Sequence, residues 1–245
     1  MPLENIVWIG GIIGLSVAVQ TLAGFGFALV AMALLPLIIG LQLASSLVLI
    51  MALLSSVLLV ITYRKSFEWR AIAPLGISAL AMIPVGIWLI DYLPEQTALR
   101  ILGGFIVLYA LYDALKARFS RSSIDKRPTP WLAYPFGGLW GLMTGAYTIP
   151  GPPLAIYAAS QGWGPQKLKA NVPFVLATVQ ISTLAGHFFR GNLTAEVWKL
   201  ALYSLPFFCV GLFISAKLST RVDEKRFKQI VLIVLSCIGF KLLFG

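Results

Sequence analysis

The chain has 245 residues, of which 59% are hydrophobic and 11% are charged, against about 25% charged in an average soluble domain. This composition excludes an ordinary soluble domain and predicts an all-α, polytopic helical membrane protein whose partner is the lipid bilayer. The net charge of +10 resides mainly in loops between apolar segments. No basic stripe is interleaved with aromatic residues, so nucleic acid is not expected as a partner, and the charge is assigned to membrane orientation.

The first apolar segment sets the class of the protein, because no Asp, Glu, Lys or Arg occurs between Asn5 and Tyr63. Residues 5–40 exceed the roughly 20 residues of one span, and they contain a glycine break at Gly24 and Gly26. We predict a broken hairpin over 5–40. The spans that follow are predicted at 43–63, 71–90 and 97–115.

A second set of segments follows a basic linker at 121–130. It opens with a broken hairpin over 131–160, interrupted by prolines that no straight helix accommodates. Spans are then predicted at 171–188, 197–216 and 227–244. The predicted domains are a first membrane repeat (1–120), the cytoplasmic linker (121–130) and a second membrane repeat (131–245).

The two halves share a glycine pattern at one constant offset. The matched pairs are Gly10 and Gly137, Gly11 and Gly138, Gly14 and Gly141, and Gly24 and Gly151. All but the last pair are interpreted as helix-packing positions, as small residues often are in membranes. Such glycine faces suit either a homodimer or the interface between the repeats, and the sequence leaves both open.

The charges of the loops favour one membrane topology. With two hairpins and an external N-terminus, the basic loops 64–70, 116–130 and 217–226 all fall on the cytoplasmic side. Each half then crosses the membrane an odd number of times, so the second repeat is predicted to be inverted. Inverted repeats with broken helices are a transporter architecture with a site near the midplane.

The breaks supply the candidate site, because no predicted span carries a charged residue at its centre. Helix N-termini present unpaired N–H groups and about half a positive charge. We expect helices starting near Phe27 and Pro153 to point opposed N-termini at a small anion. The candidate binding residues at the breaks are Gly24, Phe25, Gly26, Phe27, Gly151, Pro152 and Pro153.

Neutral polar residues within the segments form the remaining candidates. They either donate hydrogen bonds to the solute or bond between helices. These residues are Gln20, Ser45, Tyr147, Asn171 and Gln180. His187 and Arg190 lie at a span end, where the histidine is expected to be solvated or to titrate during transport, and the arginine to attract anions or snorkel.

Enzymatic motifs are missing from the sequence. It contains no HExxH, no G-x-S-x-G and no paired carboxylates within a span. A single histidine leaves no multi-histidine metal site. No catalytic residue, metal or cofactor is therefore predicted.

Four motifs in order carry a family resemblance. They are Gly10-Gly11-x-x-Gly14, Gly24-Phe25-Gly26-Phe27-Ala28, Gly137-Gly138-x-x-Gly141 and Gly151-Pro152-Pro153-Leu154-Ala155-Ile156-Tyr157. Over essentially its whole length the chain resembles the TauE/SafE family of sulfite and organosulfonate exporters. The family's second break is often richer in glycine than the Tyr147–Gly151 stretch here.

This resemblance implies a bacterial-type inner-membrane (plasma-membrane) permease that exports a small sulfur-containing anion, such as sulfite or sulfoacetate. It also implies coupling to the proton gradient, with protons as a further partner. Two alternatives remain open from the residues, a passive small-anion channel and a permease for a different small organic anion.

Overall fold

The structure is a computed structural model that describes residues 3–23, 26–63, 69–119, 130–149, 151–163, 165–218 and 223–244. Within these ranges the chain is helical, which confirms the predicted all-α membrane fold. The helices are Leu3–Ala23 (α1), Phe27–Leu34 (α2), Pro36–Ile39 (α3), Leu41–Tyr63 (α4), Trp69–Tyr92 (α5), Glu95–Phe119 (α6), Ala133–Tyr147 (α7), Gly151–Ser160 (α8), Pro165–Phe189 (α9), Ala195–Leu218 (α10) and Glu224–Phe244 (α11).

Five of the described helices are long and apolar enough to cross a membrane, namely α1, α4, α5, α9 and α10. Helices α2 and α8 contain only 8 and 10 residues. At 1.5 Å per residue they reach about 12 and 15 Å, roughly half of a 30 Å hydrocarbon core. The chain is therefore a multi-pass membrane protein with two half-length helices.

The helices form two compact units. The first comprises Met1–Val48, Leu93–Ser123 and Leu193–Gly245, and the second comprises Leu49–Tyr92 and Ile124–Asn192. Each unit therefore draws on both of the repeats predicted from the sequence. The repeat boundaries and the inversion of the second repeat remain predictions.

Glycines hold the main helix pair of the first unit together. Helix α1 packs along α10, and a Cβ atom placed on Gly211 would collide with the backbone of Gly14. A Cβ on Gly14 would lie 2.9 Å from the carbonyl oxygen of Phe207. The two backbones approach this closely only because side chains are missing at the contact.

A second glycine contact in this unit joins α6 and α11 at Gly103 and Gly239. At the start of α4, the Leu41 N–H donates to a carboxylate oxygen of Glu95 at 2.8 Å. Glu95 begins α6, so this bond fastens the N-terminus of α4 to the N-terminus of α6.

The second unit repeats the same kind of packing with α7 against α5. A Cβ on Gly141 would collide with the Ala79 carbonyl, and one on Gly86 with the Leu142 carbonyl. Trp140 is fully buried in a core that α5, α7, α8 and α9 share. The predicted repeat relates α1 to α7 and α10 to α5, so each unit contains the corresponding pair.

The packing role expected for the glycines is borne out at the ones that face another helix. Gly10 and Gly137 stand, like Gly14 and Gly141, where an added Cβ would collide with a neighbouring helix. Gly11 differs, because a Cβ there would meet nothing within 4 Å. Gly138 has only an ordinary contact of 3.6 Å to Met82.

Candidate functional site

The first break lies between α1, which ends at Ala23, and α2, which starts at Phe27 as the sequence predicted. Gly26 has φ 106° and ψ 0°, a left-handed conformation that glycine adopts without strain. A Cβ at this position would meet only Val19, at 3.5 Å. The glycine is therefore required by the backbone conformation and not by lack of space. Gly24 and Phe25 lie outside the described residues.

Helix α2 is enclosed by protein, since every residue from Phe27 to Ala33 is buried. The Phe27 ring packs edge to face against Phe208 of α10, with centroids 6.5 Å apart. Phe27 was predicted as a binding residue, and its side chain is a core contact in the first unit. Its N–H group, with those of Ala28 and Leu29, belongs to the first turn, where no intrahelical acceptor exists.

At the second break the residue in the left-handed conformation is a threonine. Helix α7 ends at Tyr147, and Thr148 follows with φ 58° while its N–H donates to the Thr144 carbonyl at 2.9 Å. A left-handed conformation is costly for a β-branched residue. Thr148 is fully buried, as is Ile149. The surrounding packing therefore holds the chain in a strained turn at this point.

Helix α8 begins at Gly151. The prediction of a start near Pro153 was two residues late, because prolines suit the first turn of a helix and do not delay it. Of Gly151, Pro152 and Pro153, only the glycine has a backbone N–H. The start of α8 keeps its dipole and yet offers fewer donors than the start of α2.

The predicted site residues divide between the two units. In the first unit are Gln20, Gly26, Phe27 and Ser45; in the second are Tyr147, Gly151, Pro152, Pro153, Asn171 and Gln180. Gln20 is partly buried, whereas Ser45, Tyr147, Asn171 and Gln180 are almost fully buried. The described side chains thus point into protein, as a binding role or an interhelical bond both require.

The second unit also contains buried polar atoms without a hydrogen-bond partner among the described residues. They are Trp140 Nε1, Thr144 Oγ1, Gln180 Oε1, His187 Nε2 and Ser56 Oγ. In the first unit the corresponding atom is Ser46 Oγ. Buried polar groups are normally paired with protein or water, so each of these atoms marks a place where a polar solute or water is expected.

His187 is a functional candidate that sequence reasoning undervalued. It was expected at a solvated span end, but its side chain is only 1% exposed. Its Nδ1 lies 3.0 Å from the amide nitrogen of Asn192, and the backbone carbonyl of Gly145 on α7 faces the ring. Gly145 lies three residues before Thr148, so the fold carries His187 to the helix turn that precedes the second break.

Arg190 directly follows the same helix and forms an ion pair with Asp91 at the end of α5, with Nε and Oδ2 2.6 Å apart. The arginine side chain is 39% exposed and that of Asp91 15%. Arg190 also lines a groove of about 260 Å³ between α5 and α9, together with Ile83, Pro84 and Gly186. The cation is thus reachable from outside the unit, and the carboxylate is mostly covered.

Only the three-dimensional structure could reveal the ion pair between Asp91 and Arg190. Asp91 and Arg190 are distant in the sequence, and nothing in the pattern pairs them. The stretch Thr148-Ile149-Pro150 contains no glycine, so a left-handed residue in this turn has to be one with a side chain.

Comparisons with known proteins agree with this architecture. The family model described as "Sulfite exporter TauE/SafE" matches residues 8–242. A relative from Cupriavidus necator, described as "Probable sulfite/organosulfonate exporter TauE", is 23% identical over 239 residues, covering 95% of this chain and 91% of the relative. No solved structure matches the chain. Since the family model spans nearly the whole sequence, the chain belongs to the TauE/SafE sulfite exporter family.

Proposed function

We propose that this protein is a secondary transporter that exports a small sulfur-containing anion, such as sulfite, sulfoacetate or another organosulfonate, across the plasma membrane. Family members are transporters, and the Cupriavidus necator relative is described as an exporter of this substrate class. We further propose that transport is coupled to the proton gradient and that the protein performs no catalysis.

The observation that carries the proposal is the pair of half-length helices that start inside apolar segments. Neither α2 nor α8 has an acidic residue in its first turn, and Gly26 provides no side-chain cap to α2. A helix start without a carboxylate presents positive potential and N–H donors to a solute anion. In a low-dielectric surrounding this attraction is much stronger than it is in water.

We propose that the anion binds at these helix starts. At the first break the donors are the N–H groups of α2. At the second break the single N–H of Gly151 is supplemented by buried polar side chains, among which we place Tyr147, Asn171 and Gln180. A sulfonate or sulfite carries three acceptor oxygens, so it can engage backbone and side-chain donors together.

The first test is a thermal-shift panel on detergent-purified protein with sulfite, sulfate, sulfoacetate, taurine, isethionate and acetate. A ligand at 100 times its Kd stabilises by about 2.7 kcal/mol, so selective stabilisation by a sulfur anion is expected. A flat panel, or a response to acetate alone, would contradict the substrate class.

Gly151→Val tests the helix start directly. The branched side chain would stand at the beginning of α8 and block approach to its N–H, so binding is expected to be lost while membrane insertion is kept. Gly11→Ala is the matched control, since a Cβ there meets nothing within 4 Å. Unchanged affinity in Gly151→Val would remove this helix start from the site.

Flux separates the transporter from a channel. In liposomes containing the protein, a transporter shows saturation and counterflow of labelled sulfoacetate, whereas a channel shows neither. Orientation is tested by cysteine labelling in loop 217–226, which we propose to be cytoplasmic, after replacement of the exposed Cys209 and Cys237. Labelling of that loop from outside intact cells would overturn the proposed inversion.

A further inference from the structure

His187 lies three residues before Arg190 of the ion pair, and its ring faces the turn of α7 that precedes the second break. Its ring is buried, and the Gly145 carbonyl faces it from α7. This placement matters because the residues that begin α8 include two prolines and therefore supply a single backbone donor. A side chain near the turn must provide the donors that the backbone lacks.

The hydrogen bond to Asn192 defines what His187 can provide. The Asn192 amide nitrogen is a donor, so Nδ1, 3.0 Å away, accepts, and the proton of a neutral ring is on Nε2. Nε2 is buried and makes no hydrogen bond of good geometry within the described ranges, although the Gly145 carbonyl faces the ring. A buried N–H that is so poorly paired can turn to a bound anion as a donor.

Two charges act on the ring from the elements around it. Asp91 belongs to α5 and Arg190 follows α9, while α7 contributes the uncharged carbonyl of Gly145. In the structure Arg190 holds the Asp91 carboxylate in an ion pair. An anion that engages the accessible arginine would compete with Asp91 for it.

We propose that His187 binds the proton that accompanies the transported anion at the second break, an inference that rests on the proposed transport function. The proton comes from water at the end of α9 and bonds to Nδ1. The Asn192 amide rotates by about half a turn, so that its oxygen accepts from Nδ1. Nε2–H continues to donate to the anion, and the imidazolium charge balances it.

On release the steps reverse, since the anion leaves, Asp91 returns to Arg190 and the proton goes back to water. Binding of the anion and of the proton are then linked, and each raises the affinity for the other by the same factor. The test is isothermal titration of wild-type protein with sulfoacetate in buffers of different ionisation enthalpy, combined with uptake driven by a pH gradient in liposomes.

Wild-type protein is expected to take up close to one proton per anion near neutral pH. In His187→Gln the amide can still donate where Nε2 stood but cannot be protonated. Counterflow should therefore persist, while proton uptake and gradient-driven accumulation are lost. His187→Leu also loses the donor and should bind at least about tenfold more weakly.

Thr178→Val is the matched control, because it removes an exposed hydroxyl from the same helix and should keep full coupling. Gradient-driven accumulation by His187→Gln would overturn the proposal. So would wild-type binding and counterflow without proton uptake, an outcome that leaves the transport function standing. Failure of wild-type protein to bind or exchange any sulfur anion would instead overturn the proposed function itself.

Discussion

At each break one residue takes a positive φ angle, but the two residues are of different types. At the first, Gly26 takes φ 106° without strain and α2 starts with a backbone donor on each residue of its first turn. At the second, Thr148 takes φ 58° under strain, and α8 starts with two prolines among its first three residues.

This difference divides the proposed roles. Helix α2, which follows the first break, is buried from Phe27 to Ala33 and starts with unblocked backbone N–H groups, so it offers a fixed set of donors. The turn of α7 before the second break faces the buried His187, which we propose to be protonated during transport. We infer that the first break contributes a fixed helix start, and that at the second break binding of the anion is linked to binding of a proton.

The comparison assumes that equally close helix packing supports both breaks. Gly141→Ala tests this assumption and has the largest expected effect on stability. Its Cβ would collide with the backbone of α5, so we expect destabilisation of about 2–3 kcal/mol. Gly14→Ala should lose a similar amount in the first unit. Melting temperatures in detergent measure both, and Gly138→Ala is the control that should melt like wild type. If either Gly141→Ala or Gly14→Ala melted like wild type, the two helix contacts would not be equivalent.

Gly26→Ala tests the unstrained conformation of the first break. The added methyl has room, so the cost is conformational and should be about 1–2 kcal/mol. We expect a lower melting temperature and weaker anion binding, because the α2 donors would shift. A variant with wild-type stability would show that Gly26 does not need its left-handed conformation.

Thr148→Gly should raise the stability where Gly26→Ala lowers it, since it releases strain at the second break. The gain should be about 1 kcal/mol after allowing for the greater unfolded-state entropy of glycine. The same substitution at the exposed helical Thr178 is the control, and there it should destabilise by a few tenths of a kcal/mol. If both variants lose stability, the turn at Thr148 is not strained.

Arg190→Gln should have the smallest effect on stability, at most about 1 kcal/mol, because the arginine of this ion pair is substantially exposed. Its effect on function should be clearer, with weaker anion binding and a smaller dependence of binding on salt. An unchanged salt dependence in titrations from low to high ionic strength would show that Arg190 does not attract the anion.

The sequence was sufficient for the helices and for the first break, because apolar length and glycine position are local properties. The start at Phe27 was predicted correctly, whereas the start at Gly151 was placed late, since the prolines were counted as part of the break. The burial of His187 and its approach to α7 depend on the packing of distant segments. No pattern within α9 contains that information.

The hydrogen bond from Leu41 to Glu95 shows, within the same fold, a helix start whose N–H group is already occupied by a carboxylate. There the chain supplies the carboxylate itself, so that α4 has no need of a solute anion. By the same logic, an acidic residue introduced at Gly26 is expected to act as a tethered inhibitor if α2 keeps its start despite the conformational cost of a side chain there. It would occupy the donors of α2 at an effective concentration that no dissolved anion reaches.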